Sequence, residues 1–172
     1  MDFNIKENRE PLIREFPKLQ NDPHFIVNSP KTCIYNCIAF AMGIQDRWVD
    51  SISAPGHWWP PISECSMAKE SLVKAFEYLG FEKTDDATFE QGFDKVVLFC
   101  DDKGNWTHAA RIIAEGVEHS KFGQCWDAIH SGNGIFIGSS YGKEFAYMRR
   151  KISDREISQK LEGEIGSTQV AI

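Results

Sequence analysis

Cys37 stands near the front of a short, almost wholly apolar run, Tyr35-Asn36-Cys37-Ile38-Ala39-Phe40-Ala41-Met42-Gly43. A thiol in that setting is a candidate nucleophile. A run with no polar face predicts a buried helix, with Asn36 as its N-cap and Gly43 as its stop. Cys37 then falls in the first turn, where unpaired amides favour thiolate over thiol. The competing reading is an inert core residue, because cysteine is among the most buried residue types. A second register caps the helix with Ser29 and puts Pro30 at N1, which sets Cys33 and Cys37 one turn apart and suits a metal or a disulfide.

A cysteine nucleophile needs a base. His108 is the candidate, because it lies in the alternating stretch from Trp106 to Ile113, on the face it shares with Trp106, Ala110 and Ile112. That face is expected to pack on the Cys37 helix; the alternative is a core histidine bonded to backbone. His24, His57 and His119 lie in a proline-rich arm, a tryptophan loop and a polar strand end, and read as structural or exposed. The base in turn needs an orienting acceptor. A two-residue turn at Glu115-Gly116 sets Ala114 opposite Val117 and His108 opposite Gly123, which brings Gln124 and then Asp127 near the histidine. His130 is the rival third member. The same register puts Lys121 on the His108 face, so a bulge or shift is expected. Arg111 alternates to the other face and predicts a salt bridge. Trp58 and Trp59, in the turn-rich loop 53–61, together with Asn36, are candidates for a cleft wall, the tryptophans serving equally to plug the core edge.

These residues need one core to hold them. With 172 residues, 42% of them hydrophobic, the chain builds one domain. A net charge of −6 and no basic, aromatic-laced run argue against nucleic acid or an anionic membrane as partner. The N-terminus lacks the apolar stretch of a secretory signal and no segment is long enough to span a membrane, so the expected location is cytoplasmic, or outside the cell after export without a cleaved signal. Five cysteines without scaffold-like density read as reduced thiols. Prolines 11, 17, 23 and 30 predict a winding arm over 1–30 with at most short helices, wrapping a core at 31–150. Ser66 to Gly80 is the clearest helix, Val96 to Cys100 and Trp106 to Ile113 are strands, Gly142 to Arg150 is a last strand, and 152–161 is a short helix in a tail over 151–172. The fold class is α+β: a buried Cys-bearing helix on an antiparallel sheet of roughly four to six strands.

A Cys at a helix start, a His in a strand and a polar residue after the next turn is the order of papain-like cysteine peptidases and amidases. More closely, the chain resembles an uncharacterised group of small bacterial proteins of that type. The matching segments are Asn36 to Gly43, Trp58-Trp59-Pro60, Gly92 to Leu98, Thr107 to Arg111, Ser120 to Gly123 and Asp127 to His130. The resemblance implies a papain-like fold, Cys37 as nucleophile, His108 as base, and Asp127 as third member with His130 its rival. The group commonly has Trp-Thr-Ser-Lys where this chain has Glu118-His119-Ser120-Lys121, and Gln where it has Ile112. The expected activity is hydrolysis of an amide, peptide or isopeptide bond in a protein or peptide substrate, without cofactor or metal; an effector or toxin-like role is compatible with it. Two rivals stand beside it: an inert binding or immunity-type module on the same scaffold, and a metal protein using Cys33, Cys37 and His57 or Cys65, whose spacings include no C-x₂-C pair.

Overall fold

The structure is a computed structural model that describes residues 1–132 and 134–155. Its elements in chain order are α1 (Lys6–Glu15), a 3₁₀ turn (Pro17–Asn21), β1 (Ile26–Val27), α2 (Cys37–Met42), β2 (Trp48–Val49), β3 (His57–Trp58), α3 (Lys69–Tyr78), β4 (Glu82–Thr84), β5 (Phe93–Cys100), β6 (Trp106–Ala114), β7 (Val117–Lys121), β8 (Asp127–Ser131), β9 (Lys143–Lys151) and a second 3₁₀ turn (Ile152–Asp154). The helix expected over 152–161 thus starts as a 3₁₀ turn, and residues 156–161 lie outside the described residues. No helix among the described residues is long and apolar enough to cross a membrane.

The class is α+β. Seven strands form one antiparallel sheet in the order β1-β8-β7-β6-β5-β9-β4, wider than expected because the two-residue β1 and three-residue β4 add short edges. The sheet is covered on both sides. On one, the helix face, α2 and α3 pack over Val96, Leu98, Ala109, Ala146 and Met148. On the other, the arm face, Leu12, Phe16, Leu19 and Phe25 of the N-terminal arm cover Val97, Phe99, Ala110 and Ile112. The arm does wrap the core, but as a ten-residue helix that holds Pro11 in its interior. Asp22 fastens it, its carboxylate accepting bonds from the Ser131 amide (2.7 Å) and hydroxyl (2.6 Å) of β8.

Both helices on the helix face end as their sequences dictate. Gly43 (φ +88°) and Gly80 (φ +88°) take the left-handed conformation, and the following amides close a Schellman pattern, Ile44 N–H to Ala39 O (2.8 Å) and Phe81 N–H to Phe76 O (3.1 Å). Phe81 then packs edge-on against Phe76 at 5.1 Å. The expected cap at Ser66 is not the N-cap of α3, which is Ala68; the Ser66 hydroxyl instead meets that of Ser71 at 2.7 Å. Arg150 of β9 ties both helix ends to the sheet, donating to Met42 O and to Leu79 O, each at 3.1 Å.

Two irregularities in β6 decide which side chains reach which face. Phe99 pairs with His108 and Cys100 with Trp106, leaving Thr107 unpaired, so Trp106 turns to the helix face while His108 stays with Ala110 and Ile112 on the arm face. Ile112 pairs with Glu118 and Ala114 with Val117, leaving Ile113 as a bulge after the Glu115-Gly116 turn. The bulge shifts the hairpin by one residue and exchanges the two faces of β7. Ser120 and Glu118 fall on the His108 side, and His119 and Lys121 on the side of α2.

Candidate active site

Asn36 caps α2 as its position predicts: its Oδ1 accepts from Ala39 N–H (3.0 Å) and Val49 N–H (3.2 Å), and its Nδ2 donates to Val49 O at 2.7 Å. The side chain is fully engaged in locking α2 to β2, so it is not a substrate ligand. Cys37 follows, 8% exposed. Pairing between β6 and β7 stops at Arg111 and His119, and the Ala109 N–H, two residues earlier in β6, faces the Cys37 sulfur instead of a strand carbonyl. Burial pushes the Cys37 thiol up to about 11, against the opposing pull of the Ala109, Ile38 and Cys37 amides and of Lys121. The expectation of a thiolate favoured by the helix start is therefore reversed; in a six-residue helix the amides do not outweigh desolvation.

His108 is fully buried on the arm face. Its ring stacks on Tyr141 at 4.0 Å and sits within ring contact of Phe99, Phe122 and Phe136. The expected Cys37–His108 hydrogen bond is thus not made: His108 alternates with Ala110 and Ile112 onto the face that the N-terminal arm covers, its Nε2 meets Ser120 and its Nδ1 has no partner. His108 belongs instead to a chain of buried polar groups in which Ser120 Oγ meets His108 Nε2 at 2.9 Å and His130 Nε2 at 2.7 Å. His130 Nδ1 lies 2.7 Å from Ser131 O, a carbonyl that only accepts, so Nδ1 carries the proton and Nε2 of the neutral ring accepts from Ser120. Ser120 then accepts from His108 Nε2–H, and His108 Nδ1 is left as a buried lone pair without a hydrogen-bond partner. Desolvation holds His108 well below the usual histidine value and His130 at about 4, so both stay neutral. His130, the proposed rival third member, is likewise on the arm face, and Gln124 is exposed in the β7–β8 turn.

Asp127 finds a different histidine. His119 Nε2 donates to Asp127 Oδ1 at 2.6 Å, on the helix face. Burial raises the Asp127 carboxyl, but the bonds from His119 and Ser29 outweigh it and keep the carboxyl below its usual value. An ionised Asp127 fixes the Nε2–H tautomer and leaves His119 Nδ1 as the nitrogen able to take a proton. The His119 ring packs edge-on against Phe40, one turn along α2 from Cys37, at 4.8 Å between centroids. Lys121 completes the surroundings: it is buried, donates to Thr32 O (2.8 Å) and Gly123 O (2.6 Å), and lies over the Tyr35 ring at 5.2 Å. That ammonium holds the segment leading into Cys37, and its charge is one of the weaker pulls on the thiol.

The remaining expected residues have structural work. Arg111 lies opposite His108 as alternation requires, but that is the helix face and not the far side expected of it, and it makes no salt bridge among the described residues: its Nε donates to Phe40 O at 2.7 Å and its guanidinium lies over the Phe40 ring at 3.9 Å. Trp59 stacks with Trp106 at 6.0 Å and donates to Glu64 O, and Trp58 lies under Arg47, so the tryptophans close the edge of the core. His57 pairs with Asp50 at 2.9 Å. All five cysteines are free thiols, and among the described residues no three His, Cys, Asp or Glu side chains are grouped to hold a metal. A cavity of about 830 Å³ opens at the other end of α2, between Gly43, Asp94, Arg111 and Arg150, and does not reach Cys37.

Residues 26–149, the span from β1 to two residues short of the end of β9 and including every residue of this site, match the model of a domain of unknown function, DUF7689. The chain belongs to that family. No curated protein and no solved structure matches it. The family span leaves out α1 and the 3₁₀ turn that cover the arm face, and keeps the whole of α2, β7 and β8.

His119 is the residue that sequence reasoning passed over. Its signal was present in the discomfort of Lys121: once a one-residue bulge is accepted after Ile112, His119 and Lys121 move together to the face of the Cys37 helix.

Proposed function

We propose that this member of the family is a cysteine hydrolase of papain type, acting on an amide, peptide or isopeptide bond, with Cys37 as nucleophile and His119, oriented by Asp127, in the role first expected of His108. The observation that carries the reading is a hydrogen-bonded His119–Asp127 pair at 2.6 Å on the sheet face that bears α2 and its Cys37. In the resembling group threonine commonly stands at position 119, so this pair is a feature of this chain and is not carried over from that likeness.

The chemistry follows from the protonation states. Cys37 is a neutral thiol at pH 7, so its proton must leave as the sulfur attacks the carbonyl carbon. The His119 ring swings off Phe40 to bring Nδ1 to the thiol, takes the proton and is stabilised as imidazolium by Asp127. The amides that face the sulfur in the resting site are the donors nearest the developing oxyanion. The imidazolium then protonates the leaving amine, and water, deprotonated by the same ring, hydrolyses the thioester. With ammonia as the leaving amine the same steps deamidate a glutamine.

One observation favours the second reading, an inert binding module: the sulfur is buried and its thiol is raised to about 11. An electrophilic thiol probe of the vinyl sulfone type, read by peptide mass mapping, separates the two. A hydrolase labels at Cys37 near pH 7, loses the label in His119→Ala and keeps it in His108→Ala. Labelling confined to the exposed Cys33 and Cys65 supports the inert module, and labelling lost in His108→Ala but kept in His119→Ala restores the original pair.

A further inference from the structure

On the arm face, away from Cys37, Glu118 of β7 is 4% exposed. Its carboxyl makes no hydrogen bond and no ion pair with any described residue, its oxygens keep a narrow contact with solvent, and it lines an apolar cavity of about 290 Å³ walled by Phe99, Ile135, Phe136 and Ile137. Room for the carboxyl is made by Gly132, where a Cβ would stand 2.9 Å from Glu118 Oε1. A carboxylate held at 4% exposure against apolar walls, with no partner in the protein, gains from an opposite charge placed beside it. The groups that face it give no relief. Glu144 lines the same cavity, is bonded by the Tyr147 hydroxyl at 2.5 Å, and repels a second negative charge. His130, its cross-strand neighbour, has both ring nitrogens engaged by Ser120 and Ser131. Lys143 lines the rim and is exposed to solvent.

We propose that this cavity is a binding site for a small organic ammonium, its charged nitrogen paired with the Glu118 carboxylate and its apolar body lying against Phe99, Ile135, Phe136 and Ile137. A cation is favoured because it supplies the charge that two neighbouring carboxyl groups lack, and aromatic walls add attraction for an ammonium. The volume sits at the small end of ligand pockets, which suits an aliphatic or phenyl-bearing primary amine in preference to a peptide. Binding is coupled to a proton. Burial and Glu144 raise the Glu118 carboxyl to about 8, so below that pH it enters the complex as the acid and leaves its proton to the solvent when the ammonium pairs with it.

The test is titration calorimetry on the full chain at pH 6.5 with n-butylammonium and phenethylammonium, beside butanol and butyrate, each in two buffers of different ionisation enthalpy. The expected result is saturable binding of the amines, at least tenfold tighter than the alcohol or the carboxylate, with a buffer-dependent heat that reports proton release. Glu118→Gln, which mimics the protonated acid the fold already holds, should keep the fold and weaken amine binding by roughly tenfold or more. Butanol binding as tightly as butylammonium, amine binding with no proton release, or no saturable binding of either amine overturns the proposal. If the Gln variant does not fold, the buffer dependence of the unaltered chain decides.

Discussion

The two faces of the sheet carry the same kinds of residue and put them to opposite uses. On the arm face, His108, Ser120 and His130 form a relay that is fully buried and shut in by four aromatic rings, so that even the free His108 Nδ1 is sealed from solvent. On the helix face, His119 meets an ionised Asp127 and keeps one ring nitrogen uncommitted, its side chain 15% exposed. The contrast teaches that burial of a histidine is not by itself a sign of chemistry. A sealed relay stabilises a fold, whereas a base must keep a free nitrogen, a fixed tautomer and access to solvent or substrate.

The largest effect expected from this contrast is on reactivity. His119→Ala should slow Cys37 modification or turnover by about 10² to 10⁴, while His108→Ala leaves it within a few fold. Equal losses in both variants would erase the distinction between the faces. Stability should show the reverse order. Ser120→Ala strands two histidine nitrogens in the core and should cost about 2 to 4 kcal/mol in urea unfolding, against less than about 1 kcal/mol for His119→Ala.

A smaller effect separates the faces by pH. His108 and His130, held neutral, bind fewer protons folded than unfolded between pH 6.5 and about 4, so stability falls as pH drops through that window, by up to about 1.4 kcal/mol per pH unit for each. Glu118 acts in the opposite sense: raised to about 8, it is protonated in the fold where the unfolded chain has ionised, so its contribution falls as pH rises from 4.5. The arm face thus sets a stability maximum near pH 6.5, and Glu118→Gln should flatten the decline above it. Denaturant midpoints from pH 5 to 8 check both slopes. The smallest effect is local: Gly43→Ala at φ +88° places its Cβ 3.7 Å from Arg150 Nη2, an ordinary contact, so it should cost only the left-handed strain, about 1 kcal/mol in melting experiments.

What was legible in the sequence was whatever a few adjacent residues decide. Asn36 and Gly43 bracket a run that folds as one buried turn and a half, Gly80-Phe81 closes α3 as its types require, and Val96 to Cys100 is a strand because nothing else suits such a run. What was not legible depended on single extra residues inside long strands. Thr107 and Ile113 are unremarkable in type, yet each reverses the alternation beyond it: the first sends Trp106 to the face opposite His108, and the second sends His119 there. The arm misled for a related reason. Pro11 argues against a helix by local rules, but packing of Leu12 and Phe16 on the sheet outweighs the one backbone bond that proline removes.

Arg150 carries a consequence of its own. A single guanidinium holds the closing carbonyls of α2 and of α3, so neither helix can fray from its C-terminus without loosening the other. The end stability of the layer that bears the thiol is therefore shared between its two helices through one side chain.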